Sequence, residues 1–341
     1  MSAPLSWETL DWTALDRLRE GFLQRAGAGG SYWHTREDLA NYDFTYAQRI
    51  GWKWDAVLQE LQRRGWTPPP GPLLDWGCGS GIAARRVLAT FGAPTCTALR
   101  VFDRSPLAMD YAAARAAELF PGLRVAPWDP HSGGTTAAEA GPGTLVISHV
   151  LNELDEAGGQ ALRAVIDRAA AVLWVEPGTH ADSRALIAVR ESLRPAFQVI
   201  APCPHQETCG LLAAGNERHW CHHFATPPSG LMADAHWVRF AQRAGIDLRR
   251  LPYSFLVLER KPARDTTAGL PGADWNRVLG EPRLYKGFAK VLACQAGGVR
   301  ELELQKRDAP SLFKAMRDGE SPALLRGPDD GRRFQGIGET R

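Results

Sequence analysis

The feature that most constrains the fold is a glycine-rich loop in LLDWGCGSGIAARRV, residues 73–87. Gly77, Gly79 and Gly81 follow a short apolar strand and open a helix, and Asp75 precedes the first glycine by two residues. Glycines at such a junction allow a tight turn and let a ligand approach the backbone beside the helix N-terminus. The spacing G-x-G-x-G differs from the G-x-G-x-x-G of dinucleotide-binding folds. The loop therefore predicts an α/β unit with a ligand site at the end of its first strand.

Apolar strand-like and helical segments alternate after this loop, which predicts a parallel sheet with helices on both faces. The predicted strands are 73–77, 98–103, 123–129, 144–150, 171–178 and 254–261. Residues 133–143 predict a loop or a short helix. Residues 287–306 predict a hairpin that turns at Gly297–Gly298, followed by a short basic helix. The Gly-, Pro- and charge-rich chain from about residue 319 predicts disorder.

These patterns divide the chain into successive regions. Apolar residues recur with a period near 3.6 before the Pro-rich run at 67–72, which indicates an N-terminal helical region. We expect the following organisation: a helical region at 1–70, a core at 71–200 and 231–262, a Cys/His-rich insertion at 201–230, a basic β-hairpin and helix at 280–318, and a tail at 319–341.

Charge and hydropathy limit the location and the partners. No run of about 18 apolar residues occurs, and the N-terminus resembles neither a secretory signal nor a transit peptide, so we expect a cytoplasmic protein without a membrane span. The net charge is +2 overall, but it is +7 from Arg239 onward and −5 before it. A basic C-terminal third suits a polyanion such as RNA, and a solvated basic surface explains the same charge equally well.

The stretch PCPHQETCGLLAAGNERHWCHHF, residues 202–224, holds three of the six cysteines and four of the nine histidines. A catalytic thiol, a disulfide and a metal or cluster site are the possible explanations. Stable disulfides are rare in the cytoplasm. The pair Pro202-Cys203 is similar to the Pro-Cys pair of RNA cytosine-C5 methyltransferases, but it lies beyond the fifth strand and has no assignable base.

A metal or cluster site is the remaining explanation, but the stretch supplies only three cysteines and a fourth ligand must come from elsewhere. Tetrahedral zinc and iron–sulfur sites both need four ligands. Cys294 in the predicted hairpin could supply the fourth. A nearby histidine is the rival, which would give a Cys3His zinc site; the candidates are His205, His219, His222 and His223.

The loop D-x-G-x-G-x-G resembles motif I of the class I S-adenosylmethionine-dependent methyltransferases. The resemblance implies that the loop faces the methionine part of S-adenosylmethionine and that Asp103, after the second strand, holds the ribose hydroxyls. It also implies that Trp128 and Asp129 contact the adenine. The Asn/Asp-Pro-Pro-aromatic motif of adenine and amide N-methyltransferases is absent from SHVLNELDE, residues 148–156. His149, Asn152 and Glu153 would line the substrate mouth, but the sequence identifies no catalytic residue.

Further motifs from about residue 40 to 317 resemble a ribosomal small-subunit assembly family, the mitochondrial Rsm-type proteins with methyltransferase-like protein seventeen and their bacterial relatives. The motifs are Cys203-Pro-His205, Cys209, Trp220-Cys221-His222, Arg283 with Lys286-Gly287, and Cys294. The resemblance implies a class I methyltransferase fold that associates with small-subunit ribosomal RNA. It also implies a four-iron, four-sulfur (4Fe–4S) cluster rather than zinc, held by Cys203, Cys209, Cys221 and Cys294. Residues 210–218 depart from the family pattern.

Three hypotheses of function follow. The first is a monomeric, cofactor-binding protein whose cluster is structural and which acts on the small ribosomal subunit or its RNA. The second is an active methyltransferase that acts on RNA or a small molecule and whose metal site, iron–sulfur or zinc, is incidental to the reaction. The third is an RNA-binding assembly factor that keeps the fold but does not transfer a methyl group.

Overall fold

The computed structural model describes residues 5–23, 32–129, 143–261 and 274–340. Of the predicted loop or short helix at 133–143, all but the last residue lies outside the described residues. The chain divides into two compact units, each assembled from separate segments of sequence. The first contains Met1–Glu60, Thr67–Val175 and Ala225–Leu251, and the second contains Leu61–Trp66, Glu176–Phe224 and Pro252–Arg341.

The secondary structure is given in chain order. The helices are α1 (Trp12–Leu23), α2 (Arg36–Phe44), α3 (Tyr46–Arg63), α4 (Ile82–Thr95), α5 (Pro106–Leu119), α6 (Glu156–Ile166), α7 (His180–Leu193), α8 (Ala235–Ala244) and α9 (Pro310–Arg317). The strands are β1 (Gly71–Trp76), β2 (Cys96–Phe102), β3 (Arg124–Pro127), β4 (Thr144–Ser148), β5 (Ala171–Pro177), β6 (Phe197–Ala201), β7 (His223–Ala225), β8 (Leu251–Arg260), β9 (Trp275–Leu284), β10 (Phe288–Gln295), β11 (Gly298–Gln305), β12 (Leu324–Arg326) and β13 (Glu339–Thr340). Short 3₁₀ turns lie at Leu151–Glu153, Gly210–Leu212 and Leu231–Ala233.

The sheet of the first unit is parallel, with the strand order β3-β2-β1-β4-β5. Its central strands are mostly apolar, and Leu145, Val146 and Ile147 of β4 are completely buried, as a strand covered on both faces requires. Helices α4, α5 and α6 connect successive parallel strands. This topology confirms the predicted α/β, Rossmann-like fold.

The N-terminal region is helical, as the apolar period predicts. Trp54, Val57 and Leu58 of α3 are buried at i, i+3 and i+4, so they form its core-facing side. Helix α2 begins with a capping box in which the Thr35 side chain accepts the Asp38 N–H and the Asp38 carboxylate accepts the Thr35 N–H. These contacts fix where the second helix starts.

The second unit contains an antiparallel sheet with the order β11-β10-β9-β12-β13. Strand β10 pairs with β11 from Phe288↔Gln305 to Gln295↔Gly298, which confirms the predicted hairpin. One face of this sheet packs on α9 through Val291, Leu302 and Phe313. In the same unit β6 runs antiparallel to β8, and β7 also pairs with β8.

The prediction of a disordered C-terminal tail is wrong for the described residues. Strand β12 pairs with both β9 and β13, and Leu325 and Phe334 are buried in the core of the antiparallel sheet. The tail is rich in Gly, Pro and charged residues, but a few apolar side chains at the right positions are enough to anchor it to an existing sheet. Among the described residues, no helix combines the length and the apolar character needed to cross a membrane.

Candidate functional sites: the glycine loop and a four-cysteine cavity

The glycine loop joins β1 to α4, and its three glycines have left-handed backbone conformations. Their φ angles are +71° at Gly77, +49° at Gly79 and +78° at Gly81. A residue with a side chain adopts this region only at an energetic cost, so the turn explains why glycine occupies all three positions. The loop amides of Gly77 and Cys78 donate to the Phe102 carbonyl at 2.8 and 3.0 Å, which holds the loop against the end of β2.

The space around the three glycines differs. A Cβ on Gly77 would lie 2.4 Å from Val150 Cγ1, and a Cβ on Gly81 would lie 2.9 Å from Ala112 Cβ. A Cβ on Gly79 would meet nothing within 4 Å. Gly77 and Gly81 are therefore required by packing, whereas Gly79 faces open space that a ligand can enter.

Asp103, just after β2, is oriented by the loop itself. Its Oδ2 accepts the Gly79 N–H at 3.0 Å, and its Oδ1 accepts the Ser105 N–H at 2.9 Å. Burial raises the pKa of Asp103, and these two hydrogen bonds offset part of that rise. Each carboxylate oxygen keeps acceptor capacity, so the side chain is held ready to accept two hydroxyl groups.

Asp75 lies beneath the loop and has no exposed surface. The Ala84 N–H donates to its Oδ2 at 3.4 Å, which ties β1 to the first turns of α4. Burial raises the pKa of Asp75 to about 7. The carboxyl therefore supports the loop from the protein interior.

Trp128 and Asp129 directly follow β3, which ends at Pro127, two residues before the end of the predicted strand. The Trp128 ring centroid lies 5.9 Å from those of Trp76 and Phe102, and its backbone N–H donates to the Val101 carbonyl at 2.8 Å. Trp128 is half-buried and Asp129 is exposed. The three rings form an aromatic wall next to the ends of β1 and β2, where a planar heterocycle could pack.

His149, immediately after β4, has a φ of +57°, which is unusual for a residue with a side chain. Its Nε2 lies 3.2 Å from Lys53 Nζ, and its Nδ1 lies 3.2 Å from Ser148 Oγ. The Trp54 Nε1–H donates to the same Ser148 Oγ at 3.0 Å. Burial, with a smaller effect of Lys53, holds the pKa of His149 well below its usual value, so the ring is neutral at pH 7.

The contacts of Lys53 with His149 and of Trp54 with Ser148 are not predictable from the sequence. Lys53 and Trp54 both lie on α3, almost 100 residues before His149, and their period fits an ordinary helical core. The one local signal is the position of Lys53 next to Trp54 on a helix face that is otherwise apolar. A lysine at a buried position needs a polar partner. Only the tertiary structure identifies that partner.

The other two residues of the predicted substrate mouth differ in their surroundings. Asn152 is exposed. Glu153 accepts the Tyr32 O–H at 2.5 Å, and Arg104 lies 3.8 Å from its carboxylate. Burial raises the pKa of Glu153, and the charge of Asp103 adds to the rise. Glu153 therefore lies close to the carboxylate that is predicted to bind ribose.

In the second unit, one cavity of about 30 Å³ is lined by the thiols of Cys203, Cys209, Cys221 and Cys294. This volume exceeds the 10–15 Å³ or so that a single water needs. Cys203 and Cys209 follow β6, Cys221 precedes β7, and Cys294 lies on β10. The fold thus brings together the four cysteines that the family resemblance implies as ligands, and none of them forms a disulfide.

The cysteine segment contacts the C-terminal hairpin directly. A Cβ on Gly210 would lie 2.7 Å from Gly298 Cα, so the backbones of the 3₁₀ turn and of the hairpin touch. The Gly280 N–H of β9 donates to the His222 carbonyl at 2.8 Å. These contacts place Cys294 beside the other three cysteines.

Burial keeps the thiols of Cys209, Cys221 and Cys294 protonated. It raises the pKa of Cys209 to about 11, and it also raises the pKa values of Cys221 and Cys294, where the neighbouring thiols contribute further. Metals bind the thiolate form of cysteine. A metal group in this cavity therefore displaces protons when it binds.

Two arginines line the same cavity, and both are almost completely buried: Arg190 is 3% exposed and Arg277 is 2% exposed. Arg190 donates to the Glu207 carbonyl at 2.9 Å and pairs with Glu191, and the Arg277 guanidinium lies over the Phe255 ring at 5.5 Å. Buried cations are costly unless negative charge is nearby. Glu191 already supplies negative charge beside Arg190, and both guanidinium groups add positive charge to the cavity wall, which suits an anionic occupant. Sequence reasoning identifies neither arginine.

Two of the four histidines in the cysteine stretch contact a cavity thiol. His205 Nε2 lies 3.5 Å from Cys294 Sγ, and His223 Nε2 lies 3.6 Å from Cys221 Sγ. His222 stacks instead on Trp220, with a centroid distance of 4.4 Å. Within residues 5–23, 32–129, 143–261 and 274–340, no three His, Cys, Asp or Glu side chains converge closely enough to hold one metal ion.

Comparison with known proteins identifies the family of the chain. The family model described as mitochondrial small ribosomal subunit Rsm22 matches residues 46–321. No curated protein matches the chain significantly.

Solved methyltransferase structures resemble the chain only distantly. Magnesium protoporphyrin IX methyltransferase (ChlM) from Synechocystis PCC 6803 with bound SAM is 12% identical over 76% of this chain and 100% of its own, with a TM-score of 0.37. The plantazolicin methyltransferase BpumL, in complex with a triazolic desmethylPZN analog and SAH, is 12% identical over 72% and 99%, with a TM-score of 0.41. The methyltransferase domain of bacterial CtHen1-C is 15% identical over 62% and 98%, with a TM-score of 0.37. These scores are too low to carry an argument, so the fold rests on the strand order of the chain itself.

Proposed function

Because the chain belongs to the family of the mitochondrial small ribosomal subunit protein Rsm22, we propose that it is a methyltransferase-like protein that acts in assembly of the small ribosomal subunit. In this proposal the first unit binds S-adenosylmethionine, and the second unit holds a 4Fe–4S cluster. The protein reaches the subunit through ribosomal RNA.

The observation that carries the proposal is the single cavity lined by Cys203, Cys209, Cys221 and Cys294. Four cysteine thiolates are the usual ligand set of a 4Fe–4S cluster. Four thiolates would bring negative charge into an apolar cavity, and the buried guanidinium groups of Arg190 and Arg277 line that cavity. The ligand set and the local charge therefore both fit a thiolate-bound group.

The spacing of the side chains favours a cluster over one zinc ion. A tetrahedral zinc site draws its ligands to about 2.3 Å from a single point. The four cysteines line one cavity, and no three described His, Cys, Asp or Glu side chains converge on a point in this way. A cluster keeps its four ligands farther apart, because each thiolate binds a different iron atom.

The glycine loop supports S-adenosylmethionine binding. The open face of Gly79 admits a ligand to the backbone, Asp103 has acceptor capacity for the ribose hydroxyls, and the wall that includes Trp128 offers a surface for adenine. When bound, S-adenosylmethionine supplies an electrophilic methyl group. The residues of the loop bind and orient it, and the aromatic wall excludes water from one side.

A non-catalytic assembly factor is the second candidate, and one observation favours it. Both ring nitrogens of His149 are engaged, by Lys53 and by Ser148, so the residue best placed after β4 offers no free nitrogen to a substrate. The third hypothesis from the sequence therefore remains the direct rival of methyl transfer.

The partner is proposed from the family and from charge. The family description names the small ribosomal subunit, and the chain from Arg239 onward has a net charge of +7. RNA binding by such a surface weakens as salt increases. The family is also described as mitochondrial, so the cytoplasmic location expected from the sequence stays a prediction.

Three measurements on anaerobically purified protein test these proposals. Calorimetry with S-adenosylmethionine should show binding, and labelled methyl transfer to ribosomal RNA separates an active enzyme from a factor that only binds. No binding of the cofactor would contradict the methyltransferase-like proposal. Co-sedimentation of the protein with small ribosomal subunits tests the partner. The protein should sediment with the subunits at low salt and be released when they are washed at high salt.

A further inference from the structure

The turn between β9 and β10 presents aromatic and apolar side chains to solvent. The Tyr285 N–H donates to the Phe288 carbonyl at 2.9 Å, which closes a tight turn with Lys286 and Gly287 at its centre. The two aromatic rings are stacked, with centroids 4.6 Å apart and planes 11° from parallel. Tyr285 is 45% exposed and Leu284 is 39% exposed. We call residues 284–288 the tip.

The tip is surrounded by positive charge. Lys286 lies in the turn, and the Lys306 N–H donates to the Gly287 carbonyl at 3.0 Å, which brings the end of β11 alongside. Among the described residues, neither lysine forms an ion pair with a carboxylate. Arg283 and Lys290, by contrast, both pair with Glu301, and Arg307 pairs with Asp308.

This combination is suited to unpaired RNA. A base has a flat face that stacks on an exposed aromatic ring, and the phosphates that flank it attract lysines. We infer that the tip is a docking surface for single-stranded RNA, with Tyr285 as the stacking platform and Lys286 and Lys306 as phosphate contacts. The inference rests on the proposed function, because it specifies how the protein contacts ribosomal RNA.

A stacked cross-strand pair can also serve only to stabilise its hairpin. That role would be fulfilled best with both rings buried, whereas close to half of Tyr285 remains exposed. It also gives no reason for Lys286 in the turn beside the rings, where no described carboxylate pairs with it. The Lys306 ammonium does have an aromatic neighbour, since it lies 5.8 Å from the centroid of the Phe313 ring. The stabilising role and the docking role predict different results for RNA binding, so one experiment separates them.

The experiment measures the affinity of the cluster-loaded full-length protein for a fluorescein-labelled 20-nucleotide oligouridine and for a blunt RNA duplex of the same length. Tyr285→Ala should weaken oligouridine binding about fivefold or more, the loss expected from removing one stacking contact. Tyr285→Trp should retain the affinity, because it keeps an aromatic face. Lys286→Ala and Lys306→Ala should each reduce the salt dependence of binding, by roughly 0.7 in the slope of log K against log salt.

Leu119→Ala is the matched control, since Leu119 is an exposed apolar residue of the first unit, on α5, and should leave RNA binding unchanged. If Tyr285→Ala lowers the melting temperature, Tyr285→Leu keeps the apolar contact with Phe288 while it removes the aromatic face, and its affinity decides the question. Wild-type affinity in Tyr285→Leu or in a stably folded Tyr285→Ala would overturn the docking surface alone. A wild-type protein that binds neither RNA would overturn RNA contact in the proposed function as well.

Discussion

At the residue scale, Asp75 makes stability depend on pH in an unusual direction. Burial raises its pKa to about 7 in the folded chain, against an ordinary value near 4 in the unfolded chain. Below pH 4 the carboxyl is protonated in both states. Between pH 4 and 7 the unfolded chain loses this proton first, so the contribution of Asp75 to stability falls as pH rises and is constant above pH 7.

The variant Asp75→Asn removes this dependence, because the amide cannot ionise. The free energy of unfolding of the wild type should fall relative to that of Asp75→Asn between pH 4 and 7, by a total on the order of 4 kcal/mol at about 1.4 kcal/mol per pKa unit. Urea unfolding followed by tryptophan fluorescence at several pH values measures the difference. A difference that does not change with pH would show that the carboxyl has an ordinary pKa.

Variants at Gly79 and Gly92 distinguish the effect of a side chain on ligand binding from its effect on backbone strain. Gly79→Ala introduces a Cβ into open space at a φ of +49°, and Gly92→Ala does the same at +53° on α4, away from the loop. Both variants should lose about 1 kcal/mol of stability from the left-handed conformation. Only Gly79→Ala should also weaken S-adenosylmethionine binding in calorimetry, by tenfold or more. Equal affinities in the two variants would place the ligand elsewhere.

Much of the first site is predictable from local sequence. The glycines, Asp103 and Trp128 lie at the ends of consecutive strands, and parallel strands bring those ends to one edge of a sheet. The interactions of His149 with Lys53, and of Glu153 with Tyr32, are not predictable in this way. These interactions join residues about 100 or more positions apart in the sequence, and no sequence spacing predicts which residues meet over such separations.

At the scale of elements, the contact between the Gly210–Leu212 turn and the β10–β11 hairpin closes the cysteine cavity. Gly210→Ala would place a Cβ 2.7 Å from Gly298 Cα, and neither backbone can move aside cheaply. We expect a loss of roughly 1–3 kcal/mol in stability, together with a lower iron content. Thermal unfolding and iron analysis of the same preparation measure both effects.

Gly159→Ala is the control for this variant. Gly159 lies on α6, where a Cβ would meet nothing within 4 Å, so alanine should leave stability and iron content unchanged or raise stability slightly. If Gly210→Ala behaves like Gly159→Ala, the contact between turn and hairpin has no role in closing the cavity.

The elements that sequence patterns miss share a physical cause. Strand β9 combines apolar residues with Gly280, Pro282 and three charged residues, and β12 has only three residues. Neither has a clear period, because each is stabilised by pairing with strands that already exist. The parallel strands β1, β4 and β5 each contain an uninterrupted apolar run, so local sequence suffices to predict them.

At the scale of the whole molecule, the central claim is that one 4Fe–4S cluster joins two parts of the chain. Cys203, Cys209 and Cys221 lie within 19 residues, whereas Cys294 is 73 residues further along the chain on β10. A cluster bound by all four would link the segment after β6 to the basic C-terminal sheet. Since binding and local folding are coupled at such sites, loss of the cluster should weaken the second unit.

The variant Cys294→Ser tests this link. It should lose most of the bound iron and lower the melting temperature, because three ligands cannot hold the cluster as four do. Cys96→Ser is the control: Cys96 is equally buried but lies on β2 in the first unit, so its iron content should equal that of the wild type.

The most direct test is elemental analysis of the anaerobically purified wild-type protein for iron, acid-labile sulfide and zinc, with its visible absorption spectrum. We predict close to four iron and four sulfide per chain and a brown protein whose visible absorption decreases on reduction. One equivalent of zinc in a colourless protein without sulfide would contradict the cluster.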